Sequence, residues 1–325
     1  GLSMNQRPGN QLFDAYFTAR DMREVFCDQG RVQAMLDFEA ALARAEARVG
    51  LIPHTAVAPI EAACQAGHYD FAALGEAIAT AGNSAIPLVK ALGKQIAAND
   101  AQAERYVHLG ATSQDVMDSG LVLQLRRALQ LIDSDLAQLG QTLATQAQRY
   151  AATPLAGRTW LQHATPVTLG MKIAGWLGAV TRSRQRLLEL KPRLLVLQFG
   201  GASGTLAALG EQAMPIAQAL AEELRLTLPD QPWHTQRDRL VEFGSVLGLI
   251  AGSLGKLGRD ISLLMQTEAA EVFEPSAPGK GGSSTMPHKR NPVGAAVLIG
   301  AATRVPGLLS TLFSAMPQEH ERSLG

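Results

Sequence analysis

Three polar stretches break an otherwise apolar, helix-forming sequence, and their residue types suit chemistry on a small anion. The first, HLGATSQDVMDSG at His108–Gly120, places Thr112, Ser113 and Gln114 where a helical pattern begins. Two hydroxyls, an amide and the first N–H groups of a helix together make a site for a carboxylate. The same types, with Asp115, Asp118 and Ser119, would serve equally well as plain N-caps. In the second stretch, GRTWLQHATP at Gly157–Pro166, Gln162 and His163 stand just ahead of Pro166. A histidine so placed fits a structural role at a helix start or a proton carrier. The third, GKGGSSTMPHKRNP at Gly279–Pro292, combines glycines that allow movement with the hydroxyls of Ser283 and Ser284. Lys289, Arg290 and Asn291 add donors for an anion. A polar run of that length between packed helices reads as a functional lid or a disordered segment. Taken together, the stretches hold hydroxyls, amides and cations, with no metal-ligand spacing and no phosphate-cradling glycine loop. That set suits a small polycarboxylate substrate and chemistry on a carbon beside a carboxylate.

Composition narrows the partners. At 46% hydrophobic and 18% charged, the 325 residues match a soluble globular chain with one large or two modest cores. Basic and acidic side chains balance at 29 each, which argues against nucleic-acid or membrane-surface binding and leaves any cationic site local. Two cysteines, Cys27 and Cys64, exclude a disulfide framework or a cysteine-rich zinc site and fit free thiols in a reducing cytoplasm. The opening GLSMNQRPGN lacks an apolar h-region, so no signal peptide is expected. The longest uncharged apolar run, Phe243–Gly255, falls short of the roughly 20 residues of a membrane span.

The elements that must position these stretches are long helices. Leu240, Phe243, Leu247, Ile250, Leu254, Leu257, Ile261 and Leu264 alternate spacings of three and four, an a/d seam for packing on other helices. Gly244, Gly248 and Gly252 recur on another face, where close helix approach would justify them. A second helix is expected from about Ser119 through Leu143. A third is expected to begin with Pro166 in its first turn and to stop at Pro192. Shorter helices, around Asp21–Val49, Ala56–Ala66 and Phe71–Ala81, are punctuated by GLIP, Gly67 and the Gly82–Asn83 pair. Strand signals are scarce, so the fold class expected is all-α. The expected domains are a small N-terminal helical domain, 1–107, and a long helix-bundle domain, 108–325, that carries all three stretches.

GSSTMPHKRNP at Gly282–Pro292 closely resembles the signature loop of the fumarase/aspartase superfamily. HLGATSQD at 108–115 and GRTWLQHATPVTLG at 157–170 resemble its other two characteristic regions, in order and separation, and the likeness runs from near Asn10 to the end. The resemblance implies an all-α subunit of three domains in a homotetramer. Each active site would be assembled from the three regions on different subunits, with no metal or organic cofactor. The chain ends at EHERSLG, where the resemblance leads one to expect a further C-terminal helical domain. Carried over by motif, Ser283 falls where the superfamily has a mobile base, and Lys289 and Asn291 fall where it binds a substrate carboxylate. Thr112, Ser113 and Gln114 match its anion-binding turn, with His108, Trp160 and Gln162 also at substrate-binding positions. Gln236 and Arg237 resemble a substrate-contacting pair of the adenylosuccinate lyases.

Two departures shape the chemistry expected. Trp160 stands where most members have a catalytic histidine, and Ala296 where most carry the glutamate that orients it. Expelling an amine needs such a proton donor. An attacking carboxylate that belongs to the substrate itself does not, because it is already ionised near neutral pH. Its tether also supplies an effective molarity of order 10⁵ M or more. An enzyme of that kind would be expected to bind the substrate's negative charges, stabilise an enolate-like intermediate and move one proton at carbon. Ser283 or Ser284 is the expected proton carrier, with His163 and then His288 behind them. The rival expectations are an adenylosuccinate-lyase-like C–N lyase and a non-catalytic helical scaffold.

Overall fold

The computed structural model describes residues 20–265, 305–319 and 321. Its elements in chain order are α1 (Arg20–Phe26), α2 (Asp28–Arg48), α3 (Val57–Ala63), α4 (Phe71–Ala81), α5 (Ala85–Asn99) and α6 (Ser113–Arg149). A hairpin of β1 (Pro154–Thr159) and β2 (Gln162–Thr168) follows, then α7 (Leu169–Leu194), α8 (Ala213–Leu224), α9 (Asp238–Leu264) and α10 (Val305–Ser314). The fold is all-α apart from that hairpin. It divides into two compact units, the first of 20–131, 191–237, 317–319 and 321, the second of 132–190, 238–265 and 305–316.

In the first unit, α2 is the central helix. Leu36, Phe38, Ala41, Leu42 and Ala45 are fully buried on several of its sides, and of the charges α2 carries, Asp28, Arg31, Asp37 and Arg48 are exposed while Glu39 and Glu46 are buried. Small alanines on α2 and α8 (Ala217, Ala219, Ala221) let the two helices pack closely. Leu88, Leu92 and Ile96, one turn apart on α5, complete the core with Ile60 of α3. Asp70 caps α4 by accepting from the N–H groups of Ala72 at 3.0 Å and Ala73 at 3.2 Å, and Gly82, at φ 70°, ends it. The sequence predicts one helix over Asp21–Val49, but the structure breaks it at Cys27, whose backbone is extended. The corner exists because Gly30 has no side chain. A Cβ there would run into the carbonyl oxygens of Val25 and Glu24 at the end of α1.

The hairpin of the second unit corrects another expectation. Pro166 does not start a helix; it pairs with Ala156 inside β2, and α7 begins three residues later. Proline pushes the preceding Thr165 into extended backbone. The register shift between Ala156 and Arg158 tolerates the missing N–H. Thr168 then caps α7 by accepting from the Met171 N–H at 3.1 Å. Pro192 lies within α7 rather than beyond its end, and the helix runs on to Leu194. α6 begins at Ser113, six residues before the expected start, and extends six beyond Leu143.

The heptad reading of α9 holds in detail. Phe243, Ile250, Leu257 and Leu264 are buried, and the alternate seam positions Leu240, Leu247, Leu254 and Ile261 are partly covered. Two of its glycines serve close approach, since a Cβ at Gly244 would meet Leu312 of α10 at 2.7 Å and one at Gly248 would collide with Leu309. By length and apolarity alone α9 could cross a bilayer. Its Asp260 nevertheless accepts from the Trp176 indole of α7 at 2.8 Å and from Lys256 at 2.7 Å, which fits a helix packed among helices.

Candidate functional site

The 108–115 stretch forms a turn leading into α6, and Asp115 holds it together. This carboxylate is fully buried. It accepts from the Thr112 N–H at 3.1 Å, the Gly200 and Gly201 N–H groups at 3.1 and 3.0 Å, and His234 Nε2 at 2.7 Å. The first of these bonds is the return arm of a capping box, in which the third helical residue satisfies the N–H of the cap. The other three tie the turn to the segment after α7. Only glycine fits at position 200, where a Cβ would lie 2.7 Å from Pro232 and 2.9 Å from His234 Cε1. With Asp115 saturated in this way, the N–H groups of Ser113 and Gln114 are the first of a 37-residue helix and have no intrahelical acceptor. They can serve an anion, with the positive end of the helix dipole behind them.

One helical turn further, Asp118 organises a second layer. It accepts from both terminal nitrogens of Arg237, at 2.7 and 3.0 Å, from Gln198 Nε2 at 3.1 Å and from Gln114 Nε2 at 3.2 Å. The Arg237 guanidinium also lies 5.2 Å from the centre of the Trp233 ring. Gln198 in turn accepts from the Trp233 N–H at 3.0 Å, and Ser119 exchanges hydrogen bonds with the Gln198 backbone. Arg237 and the Gln114 amide nitrogen, which also reaches the His234 carbonyl at 2.8 Å, are therefore built into the frame. The Ser113 hydroxyl accepts from Asn83 Nδ2 at 3.2 Å.

His108 opens the turn in a left-handed backbone conformation, φ 61°, which is uncommon without glycine. Its Nδ1–H donates to Glu39 Oε1 of α2 at 2.5 Å. Burial pulls the imidazole pKa down, but the Glu39 bond and the charges of Glu39 and Asp115 outweigh it and raise the value above the usual range. Two turns along α2, Glu46 is also buried. Burial, and then the charge of Glu39, push its carboxyl up to about 8. Neither oxygen of Glu46, nor Glu39 Oε2, has a hydrogen-bond partner among the described residues.

The first unit thus gathers His108, Thr112, Ser113, Gln114 and Arg237, while Gln236 beside them is exposed. Trp160, Gln162 and His163 belong to the second unit. Trp160 and Leu161 form the two-residue turn of the hairpin at φ 55° and 61°, 94% and 80% exposed, and Gln162 and His163 follow on the exposed start of β2. Ser283, Ser284, Lys289 and Asn291, with His288 and Ala296, lie outside the described residues. Sequence reasoning missed Glu39, Glu46, Gln198 and His234, and treated Asp115 and Asp118 only as possible caps. Among the described residues no cluster of histidine, cysteine or carboxylate side chains could hold a metal ion.

The chain as a whole is similar to known proteins. A model described as Lyase matches residues 15–307. The chain is 79% identical over 322 residues to a 3-carboxy-cis,cis-muconate cycloisomerase of Pseudomonas aeruginosa, covering 99% of this chain and 70% of that one. It is 50% identical to the enzyme of that name from Acinetobacter baylyi, over 97% of this chain and 70% of the other. The crystal structure of the 3-carboxy-cis,cis-muconate lactonizing enzyme from Pseudomonas putida superposes with a TM-score of 0.93 at 78% identity, over 97% of this chain and 70% of that chain.

Proposed function

Because the chain belongs to the lyase family, matched along most of its length, we propose that it is a cycloisomerase. It interconverts 3-carboxy-cis,cis-muconate and 4-carboxymuconolactone by intramolecular addition and elimination of a carboxylate. What carries the reading is its likeness, along nearly the whole chain, to cycloisomerases and a lactonizing enzyme of that substrate. The reaction serves the breakdown of protocatechuate in the cytoplasm.

The site chemistry agrees with this assignment. The start of α6, with the N–H groups of Ser113 and Gln114, the hydroxyls of Thr112 and Ser113, and His108, binds one carboxylate of the substrate. Lys289 and Asn291 bind another. A third carboxylate, tethered and ionised, attacks the double bond, so no group is needed to activate it. Charge develops as an enolate at the carbon beside a bound carboxylate, and fixed donors stabilise it without reorganising. Ser283, with Ser284 next to it, moves the proton at that carbon. Trp160, in the position where a proton donor would serve an amine-expelling relative, removes water from the closing ring.

We further propose that subunits associate as a homotetramer and share active sites. In the second unit a groove of about 650 Å³ between α7 and α9 is lined by Met171, Trp176, Leu249 and glycines 175, 248 and 252. Met171 and Leu249 are exposed within it, an apolar surface that helices of other copies would cover. The test is spectrophotometric. The wild type should abolish the conjugated-diene absorbance of 3-carboxymuconate, and Ser283→Ala should slow this by about 10²- to 10⁴-fold. Near-normal turnover by the variant would remove Ser283 from the proton path. Fumarate release from adenylosuccinate, with no loss of diene absorbance, would replace the cycloisomerase by a C–N lyase.

A further inference from the structure

We propose that Glu39 is a positioning residue for His108, fixing it as an imidazolium whose Nε2–H is left to meet a substrate carboxylate beside the α6 start. This deepens the reading above and rests on it for the identity of the anion. Glu39 is 1% exposed, on the buried side of α2. An isolated ionised carboxylate in such a place is costly, so it needs a cation or a proton. His108 Nδ1 is the partner it has, and Glu39 Oε2 has none among the described residues.

Among the described residues His108 is the side chain that hydrogen-bonds Glu39, while Arg44, a cation on the same helix, is paired with Glu61 and Glu223. Glu46 lies on the same face of α2 and is kept neutral by burial and by Glu39. The Cys64 thiol, which faces Glu39 from the end of α3, is pushed up to about 12 by burial first and then by the charges of Glu39 and Asp37. Asp115, from α6, adds a further negative charge facing the imidazole. The two charges that act on the ring, those of Glu39 and Asp115, therefore favour its charged form, and burial opposes it.

Geometry then assigns the second nitrogen. With Nδ1 on Glu39, Nε2 has no protein partner among the described residues, although the side chain is only 21% exposed. The left-handed backbone of His108 holds the ring at the head of the same turn that presents Ser113 and Gln114. A carboxylate placed at the start of α6 would thus meet the helix N–H groups and a charged donor whose tautomer is set from behind. The arrangement is that of a carboxylate orienting a histidine, used here for binding.

The experiment follows the His108 ring by NMR in the full chain labelled at histidine Cε1, its signal identified by loss in His108→Gln among the 7 histidines. In the wild type His108 should titrate above the usual histidine range, and tricarballylate, a saturated tricarboxylate, should shift its signal. In Glu39→Gln, which keeps the side-chain volume, the titration should move down. KM for 3-carboxymuconate at neutral pH should rise about 10- to 100-fold, the worth of one charge-assisted hydrogen bond, with a smaller change in kcat. Titration of the wild-type ring at or below its ordinary value would overturn the proposal without any variant. So would an unchanged titration in Glu39→Gln, or a tricarballylate complex that leaves His108 undisturbed. The ring titration needs no turnover, so what it says of Glu39 is separate from the fate of the cycloisomerase assignment.

Discussion

Glu46 puts two carboxylate oxygens into the core of the first unit with no hydrogen-bond partner among the described residues, and its carboxyl is raised from 4.5 to about 8. The consequence for stability has a definite sign. Below pH 4.5 both folded and unfolded chains keep the proton, and the group costs nothing through ionisation. Between 4.5 and about 8 only the unfolded chain releases it, so stability falls as pH rises across that window by up to about 1.4 kcal/mol per pH unit. Glu46→Gln has no charge to lose. Its melting temperature should match the wild type near pH 4.5 and exceed it increasingly toward pH 8, as thermal melts at several pH values would show. A gap that stays constant with pH would mean that Glu46 is ionised in the fold. Neither Glu39 nor Glu46 was legible as buried, because acids among alanines look like an ordinary solvated helix until the packing around α2 is known. His234 gave no local signal either. It gains its role from a partner 119 positions away. Thr112, Ser113 and Gln114 were legible because hydroxyls at a helix start need only local structure to mean something.

At the scale of elements, helix periodicity was read well and the hairpin not at all. The seam of α9 spans many turns, and its pattern of apolar residues fixes both the helix and its packed face. The hairpin offers no Asn-Gly or Asp-Gly turn and little β-branched alternation, and Pro166 mimics a helix start. Instead it places Trp160 and Leu161 in left-handed conformations that cost non-glycine residues roughly 1–2 kcal/mol each. A strained turn with an exposed indole is the kind of arrangement kept for function rather than stability. Installing an Asn-Gly turn through the double substitution Trp160→Asn with Leu161→Gly should therefore raise the melting temperature while lowering turnover of 3-carboxymuconate. Thermal unfolding and kcat/KM measured on the same preparation would check both directions. A variant that gains stability and keeps full activity would remove Trp160 from the site.

On the scale of the whole molecule, balanced charge left the cations to local sites, and the lyase family match agrees with a small-molecule enzyme. Two of the limits between the cores, at 131/132 and 190/191, could not be read from sequence, because they fall inside α6 and α7 rather than in loops, whereas that at 237/238 lies at the start of α9. No composition shift or glycine–proline tract marks such a boundary. Both α6 and α7 instead run on past such a limit as helix. Fraying at 131/132 would sever the ladder of backbone hydrogen bonds of α6 in mid-span, with no linker to absorb the damage, whereas 190/191 lies in the last turn of α7 beside Pro192. Heating should accordingly yield one calorimetric transition, its calorimetric and van't Hoff enthalpies equal, rather than two separated ones. For anyone wishing to graft the first unit onto another scaffold, the seam between donor and host would have to be cut through continuous helix, in phase with its turns.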